Sequence, residues 1–323
     1  MIGRVGAADL RVAVLLPCYN EEAAIGATVA AFRASLPGAT IYVYDNNSTD
    51  RTIEVARAAG AVVRRERAQG KGHVVRRMFA DVEADIYVMA DGDATYDAAA
   101  APLLVAQLID EHLDMVVGAR RSEVQAAYRR GHRLGNRMLT GMLAKLFGRS
   151  FTDILSGYRV FSRRFVKSFP ALSLGFEIET EISVHALELR VPVGEVETAY
   201  AARPEGSASK LSTYRDGWRI LTTILTLLRM ERPVLFFGAI GTLLLLLAVL
   251  ISIPLAVTYV ETGLVPRMPT ALLATGVTII AFLCFFCGLI LDTVVRGRRE
   301  VRRLAYLALP ASPPSSDAPV QGS

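Results

Sequence analysis

The sequence predicts an α/β domain, a mostly parallel sheet with flanking helices, followed by a two-helix transmembrane hairpin. Three observations carry this. Short β-rich runs alternate with helical stretches through the first part of the chain, as in βαβ units. Two long uncharged runs lie near the C-terminus. Mean hydropathy, at +0.35 over 323 residues, is high for a soluble protein.

Val12 to Pro17, Thr40 to Asp45, Ala61 to Arg65, Asp85 to Asp91 and Asp114 to Gly118 read as strands, with helical patterns between them. In open sheets of this kind ligands bind beyond the carboxyl ends of the strands, so chemistry is expected there. Pro233 to Val260 offers 28 uncharged residues and Met268 to Leu291 another 24, each enough for a membrane-spanning helix. The short linker, Glu261 to Arg267, makes them a hairpin. Arg229 and Arg232 precede the first span and Arg296, Arg298, Arg299, Arg302 and Arg303 follow the second, while the loop carries only Arg267. By the positive-inside rule both ends, and the α/β domain, face the cytoplasm. No signal peptide is read in Met1 to Leu10, which has no apolar core. Pro310 to Ser323, rich in Pro and Ser, reads as disordered.

Composition excludes several classes. A chain that is 52% hydrophobic and 21% charged is not disordered. The net charge of +5 suits anionic lipid or phosphorylated ligands; nucleic acid fits poorly, because the arginines gather at membrane flanks and strand ends rather than along one stripe. Cys18, Cys284 and Cys287 form no disulfide framework. Only four of the 36 basic residues are lysine, which with abundant alanine points to a bacterium. Two amphipathic stripes, Leu134/Met138/Met142/Leu146 and Tyr214/Trp218/Leu221/Leu225/Leu228, either pack on the domain or lie on the membrane surface.

The strand ends are acidic. The first runs into Pro17-Cys18-Tyr19-Asn20-Glu21-Glu22 and the second into Asp45-Asn46-Asn47-Ser48-Thr49-Asp50. Carboxylates in such places accept hydrogen bonds from bases or riboses, a role assigned to Glu21 and Asp45. Asp50 reads instead as a helix cap. The fourth strand ends in Asp91-Gly92-Asp93, two carboxylates that can share one hard cation and so neutralise a diphosphate. Glu177, Glu179 and Glu181 start a helix. They are either a solvated first turn or include one acid that reaches a sugar or Lys210.

Pro17-x-Tyr19-x-Glu21, Asp45 and Asp91-x-Asp93 together resemble the GT-A (Rossmann-like) fold of glycosyltransferase family 2, over roughly residues 10 to 230. Gly118-Ala119-Arg120, Asp153 to Arg159 and Arg203 to Lys210 are similar to the dolichol-phosphate mannose synthase branch. The two spans resemble its bacterial polyprenyl-phosphate glycosyltransferases. The resemblance implies a cytoplasmic GT-A domain over 1–211, a juxtamembrane amphipathic helix over 212–232, transmembrane helices over 233–260 and 268–291, and a basic then disordered cytoplasmic tail over 292–323. It implies that Pro17, Tyr19, Glu21, Asp45 and Asp91 bind the nucleotide, and that Asp91 and Asp93 hold Mg2+ or Mn2+. Arg120, Arg133, Arg159, Arg203 and Lys210 would meet the lipid or donor phosphates. Asp93, Asp153 and Arg120 would act at the reaction centre, Asp153 either as a base or by orienting the acceptor or Arg159.

The implied reaction is inverting transfer of a sugar from a nucleotide sugar, UDP-glucose or GDP-mannose, to polyprenyl (undecaprenyl) phosphate at the inner membrane, serving cell-envelope glycans. The alternatives are a non-catalytic nucleotide-sugar-binding subunit and a family 2 transferase with another acceptor. Gly238, Gly241 and Thr242 offer small residues for a homo-oligomer through the hairpin. Two departures stand out. Many relatives have two aspartates and a glycine where this chain has Asp45, Asn46 and Asn47, and Thr95 stands where the mannose synthases place glutamine. No Q-x-x-R-W motif occurs, which argues against processive polymer synthesis.

Overall fold

A computed structural model describes residues 10–121, 141, 151–171, 177–201, 222 and 225–311. The chain divides into two compact units, Met1–Gly217 with Arg302–Ser323, and Trp218–Val301.

In the first unit, β1 (Val12–Cys18), β2 (Thr40–Asp45), β3 (Val62–Arg65) and β4 (Ile86–Met89) alternate with α1 (Ile25–Ser35), α2 (Thr52–Ala58) and α3 (Lys71–Asp81). After β4 come α4 (Ala101–Asp110), β5 (Met115–Arg121), β6 (Arg159–Ser162), α5 (Arg163–Ser168), α6 (Ile178–Leu189) and β7 (Val193–Ala199). The seven strands lie in the order β3-β2-β1-β4-β6-β5-β7. Five sit where the apolar runs predict them. The sequence reading did not include β6 and β7; β6 is only four residues long and runs antiparallel between β4 and β5.

The central strands are near-continuous apolar runs because helices cover both faces. β1 is buried from Ala13 to Cys18, and β4 throughout. β3 carries Arg64 and Arg65 on the exposed sheet edge, where charge discourages further pairing. α1 buries Ile25, Thr28, Val29 and Phe32, the stripe expected of a helix lying on a sheet.

β1 is flanked by β2 on one side and β4 on the other, with Cys18 opposite Asp45 and Leu15 opposite Met89. The chain leaves in opposite directions from this point, so the carboxyl ends of three parallel strands open one crevice. It is here that the acidic motifs converge.

The second unit contains most of two long apolar helices, α7 (Pro233–Thr262) and α8 (Met268–Leu307), each long and apolar enough to cross a membrane. They are largely exposed, unlike a core helix. Glycine at 241 allows close packing within the pair: a Cβ there would lie 2.9 Å from the carbonyl oxygen of Ala281. Glu231, 4% exposed, binds Arg298 and Arg299 at 3.0 Å each.

α8 is longer than the expected span, continuing to Leu307. The expected basic tail is therefore helical, and its arginines are paired rather than simply solvated. From Arg302 the chain belongs to the first unit. There Arg302 contacts Glu188, Arg303 donates to the carbonyl of Leu189 at 2.8 Å, and the Tyr306 hydroxyl donates to Asp114 at 2.6 Å. The guanidinium of Arg164 covers the Tyr306 ring at 4.2 Å.

Candidate active site

The loops after β1 and β2 are laced together. Asn20, at φ 54°, receives the N–H of Thr49 on its side-chain oxygen at 2.8 Å and donates its own N–H to Ser48 Oγ at 2.8 Å. Asp50 accepts from the N–H and hydroxyl of Thr52 and from the N–H of Glu22, so it joins the start of α2 to the β1 loop. The N-cap position itself is held by Arg51, so Asp50 stands one residue before the cap expected of it and serves the helix start from there. Asp45 is fully buried, and both its oxygens accept from the N–H of Ser48, at 3.3 and 3.2 Å. Pro17 is buried at the end of β1, while Tyr19 and Glu21 are half-buried on the loop beyond it.

Asn46 explains one departure in the sequence. Its amide nitrogen donates to the carbonyls of Glu66 and Ala68, at 3.1 and 2.7 Å, and its oxygen accepts from the N–H of Gly70 at 2.7 Å. A carboxylate has no donor for the two carbonyls, so the amide is what this buried position requires. It fixes the segment that delivers Lys71.

Beyond β4 the backbone turns sharply, with Gly92 pressed against β1 and Ala94 at φ 57°. A Cβ at 92 would stand 2.3 Å from Cys18 Sγ, so only glycine fits between the two aspartates. Asp93, 3% exposed, accepts the Thr95 hydroxyl at 2.6 Å and its N–H at 3.2 Å. Threonine at 95 thus fixes the orientation of the second carboxylate. A Cβ at 157 would lie 3.0 Å from Asp91 Oδ2, so glycine there leaves that face of the carboxylate open. Tyr96 accepts the Gly157 N–H at 2.8 Å and pairs with Tyr200, tying the aspartate loop to the end of β7.

The crevice is strongly negative. The buried thiol of Cys18 is pushed well above its usual pKa, by burial first and then by Glu21, Asp45, Asp91 and Asp93. Asp91 and Asp93 are hard oxygen ligands of the kind Mg2+ takes, typically one or two carboxylates completed by phosphate oxygens.

A cation already sits on Asp91. The Lys71 ammonium lies 2.5 Å from Asp91 Oδ1 and 2.5 Å from Glu179 Oε1. Burial alone would lower its pKa, but the two carboxylates outweigh this and raise it, so it stays charged. Sequence reading missed this residue. The signal is Gly70-Lys71-Gly72 at the start of a helix, in a chain with four lysines. Glu179 is 5% exposed, so it is not part of a solvated first turn, and its partner is Lys71.

On the far side of Gly157, Arg120 at the end of β5 clamps Asp153 with Nε at 2.6 Å and one terminal nitrogen at 2.8 Å. The Arg120 guanidinium also lies over the Tyr200 ring at 5.4 Å. Burial would raise the Asp153 pKa, but the hydrogen bonds and charge of Arg120 hold it below the usual carboxylate range.

The profile of glycosyl transferase family 2 matches residues 13–169, which include the ends of β1, β2 and β4. Glycosyltransferase AglJ of Haloferax volcanii is 36% identical over 232 residues, covering 71% of this chain and 76% of that one. The chain belongs to glycosyl transferase family 2. Another H. volcanii protein, a dolichyl-phosphate hexose transferase, is 27% identical over 220 residues, 68% of this chain and 95% of the relative. Among solved structures, Mycobacterium tuberculosis glucosyl-3-phosphoglycerate synthase in complex with Mn2+, UDP-glucose and phosphoglyceric acid superimposes with a TM-score of 0.57 at 26% identity, covering 68% of this chain and 79% of that one. The sheet and its flanking helices are accordingly the GT-A fold.

Within this family 2 enzyme the fold brings Pro17, Tyr19, Glu21, Asp45, Asp91 and Asp93 to one crevice. Arg159 departs from its expected place on a phosphate. It is fully buried and donates to the carbonyls of Ser156 and Ile154, at 2.9 and 2.5 Å. Burial draws its pKa down to about 10, with Glu179 and Asp153 opposing. It holds the 153–158 loop from beneath. Arg133, Arg203 and Lys210 lie outside the described residues, as does the stripe from Leu134 to Leu146 and most of that from Tyr214 to Leu228.

Proposed function

We propose that this glycosyltransferase moves a hexose from a nucleotide diphosphate to polyprenyl phosphate at the cytoplasmic face of a bacterial inner membrane, with inversion. The observation that carries the reading is the convergence of Asp91 and Asp93 with the ends of β1 and β2, in a chain that also has two membrane-length apolar helices. The likeness to a dolichyl-phosphate hexose transferase supports the lipid acceptor, and a relative bound to Mn2+ and UDP-glucose supports a UDP-sugar and a divalent cation.

Pro17, Tyr19, Glu21 and Asp45 then hold the nucleotide, and Asp91 and Asp93 hold Mg2+ or Mn2+. The cation supplies charge neutralisation for the leaving diphosphate. An acceptor phosphate oxygen attacks the anomeric carbon opposite the nucleotide; the new C–O bond forms as the bond to the diphosphate breaks. A phosphate monoester has a second pKa of about 6, so the nucleophile is anionic at neutral pH and needs no strong base. Asp153, held ionised by Arg120, serves by orienting that arginine toward phosphate. Arg133, Arg203 and Lys210 are assigned to the lipid or donor phosphates by the family resemblance alone. Electrostatic preorganisation and close approach of two anionic reactants supply most of the rate.

The solved relative bound to phosphoglyceric acid favours a second reading, a soluble phosphorylated acceptor. Detergent-solubilised protein is incubated with undecaprenyl phosphate, Mn2+ or Mg2+, and a panel of UDP- and GDP-sugars. Nucleotide release and a glycolipid that both require the lipid are expected. Release with phosphoglycerate but not with lipid would replace this reading by the second, and no transfer from protein that binds nucleotide would favour a binding subunit.

A further inference from the structure

The Lys71 ammonium stands against a carboxylate that the proposed reaction needs for a metal. Its side chain is 10% exposed and lies between Asp91, 29% exposed, and Glu179, 7% exposed. The three residues come from three places: Lys71 is the first residue of α3, Asp91 follows β4, and Glu179 lies in the first turn of α6. The backbone just before Lys71 is anchored to Asn46 through Gly70, so its position is set by the same loop system that flanks the nucleotide crevice.

With the ammonium on Oδ1, a divalent ion on the open Oδ2 face of the same small carboxylate would stand close to a like charge. A divalent ion entering without a nucleotide would have to repel an ammonium whose other partner, Glu179, is already engaged. A nucleotide diphosphate changes this balance, because its oxygens offer the ammonium a new partner. Lysine suits such an exchange: a flexible four-carbon stem with three donors can pivot from one anion to another without moving the helix that carries it. Glu179 stays beside the stem and keeps the charge paired in both positions.

We propose that Lys71 is a displaceable internal counter-ion, which occupies Asp91 in the donor-free enzyme and yields it when the nucleotide diphosphate and divalent cation arrive together. Lys71 is thus a positioning residue that couples metal binding to donor binding, by an amount that is reciprocal between the two ligands. The inference rests on the reading of Asp91 as a metal ligand.

The test is Mn2+ binding to the full-length, detergent-solubilised protein, read from the free-ion electron paramagnetic resonance signal with and without UDP. The key variant is Lys71→Met/Glu179→Gln, which keeps the net charge and replaces the buried pair by neutral groups, an exchange that buried ion pairs often tolerate. It is expected to bind Mn2+ at least tenfold more tightly than the parent without UDP, and to gain correspondingly less from UDP. Lys71→Met alone should show the same direction. Nucleotide-free affinity within twofold of the parent, in variants with unchanged circular dichroism, would overturn the proposal. Asp91→Asn separates the two ideas: if it binds Mn2+ with UDP as well as the parent does, the metal assignment itself is wrong.

Discussion

Asp153 accepts from Nε and one terminal nitrogen of the Arg120 guanidinium, at 2.6 and 2.8 Å, with each side chain at most 14% exposed. In the proposed mechanism the carboxylate thereby fixes an arginine assigned to phosphate. Asp153→Asn should cut kcat more than tenfold through a loosened Arg120, and should leave the acid limb of the pH–rate profile in place, because no base is lost. Breaking a buried pair also costs about 3 kcal/mol. Since the folded pKa of Asp153 is depressed, its contribution to stability is present above the unfolded value and disappears as pH falls through the folded one. Unfolding midpoints of parent and variant should therefore converge in acid.

Asp91→Asn and Asp93→Asn should each reduce transfer about a hundredfold or more. Thr95→Ala removes the hydroxyl that orients Asp93 and should weaken metal activation by about 10- to 100-fold, while Thr95→Ser retains it. Metal titrations of nucleotide release measure both. Equal metal requirements in Thr95→Ala and the parent would refute the role of the hydroxyl.

Asn46→Asp restores the acid found in many relatives, and here it should be harmful. It removes the donor to the Glu66 and Ala68 carbonyls and sets a negative charge against them. A loss of about 2–3 kcal/mol is expected, with a raised KM for the nucleotide sugar because Gly70 and Lys71 shift. Denaturation curves and initial rates test the two parts separately.

His185 is 1% exposed between Phe165 and Phe169, and among the described residues neither ring nitrogen has a hydrogen-bond partner. Burial, with Arg302 adding to it, pulls its pKa down from 6.5 to about 4. The unfolded chain then binds the proton more readily, so stability falls as pH drops from the unfolded value to the folded one, by about 3 kcal/mol in all. His185→Leu should flatten that slope and leave stability at neutral pH equal or higher. A variant that keeps the full slope would place the titration elsewhere.

The first half of the sheet was legible because its central parallel strands, β1 and β4, are buried and therefore written as continuous apolar runs, and the exposed edge strand β3 still opens on Val62 and Val63 between two helical stretches. β6 and β7 were not. β6 is Arg-Val-Phe-Ser, too short for a pattern, and β7 is Val-Gly-Glu-Val-Glu-Thr-Ala, half-exposed and interrupted by glycine. The reach of α8 to Leu307 was hidden for a related reason: hydropathy marks where the apolar run stops, whereas the helix continues through its arginines because their charges are met by Asp292, Glu231 and Glu188.

The sequence by itself determined the family, the crevice and its acids, since strand-end motifs are local in the chain and the sheet order brings them together. Tertiary structure alone decided which charges meet. Lys71 is 20 residues from Asp91 and 108 from Glu179, and Arg120 is 33 from Asp153. No local pattern carries such pairings, because ion pairs are selected by proximity and desolvation in the folded chain. The same cause separates Arg120, bonded to Asp153 and lying over the Tyr200 ring, from Arg159, which is fully buried and bonded to backbone carbonyls. In the sequence the two are merely arginines; burial and the partners each one finds give them different work.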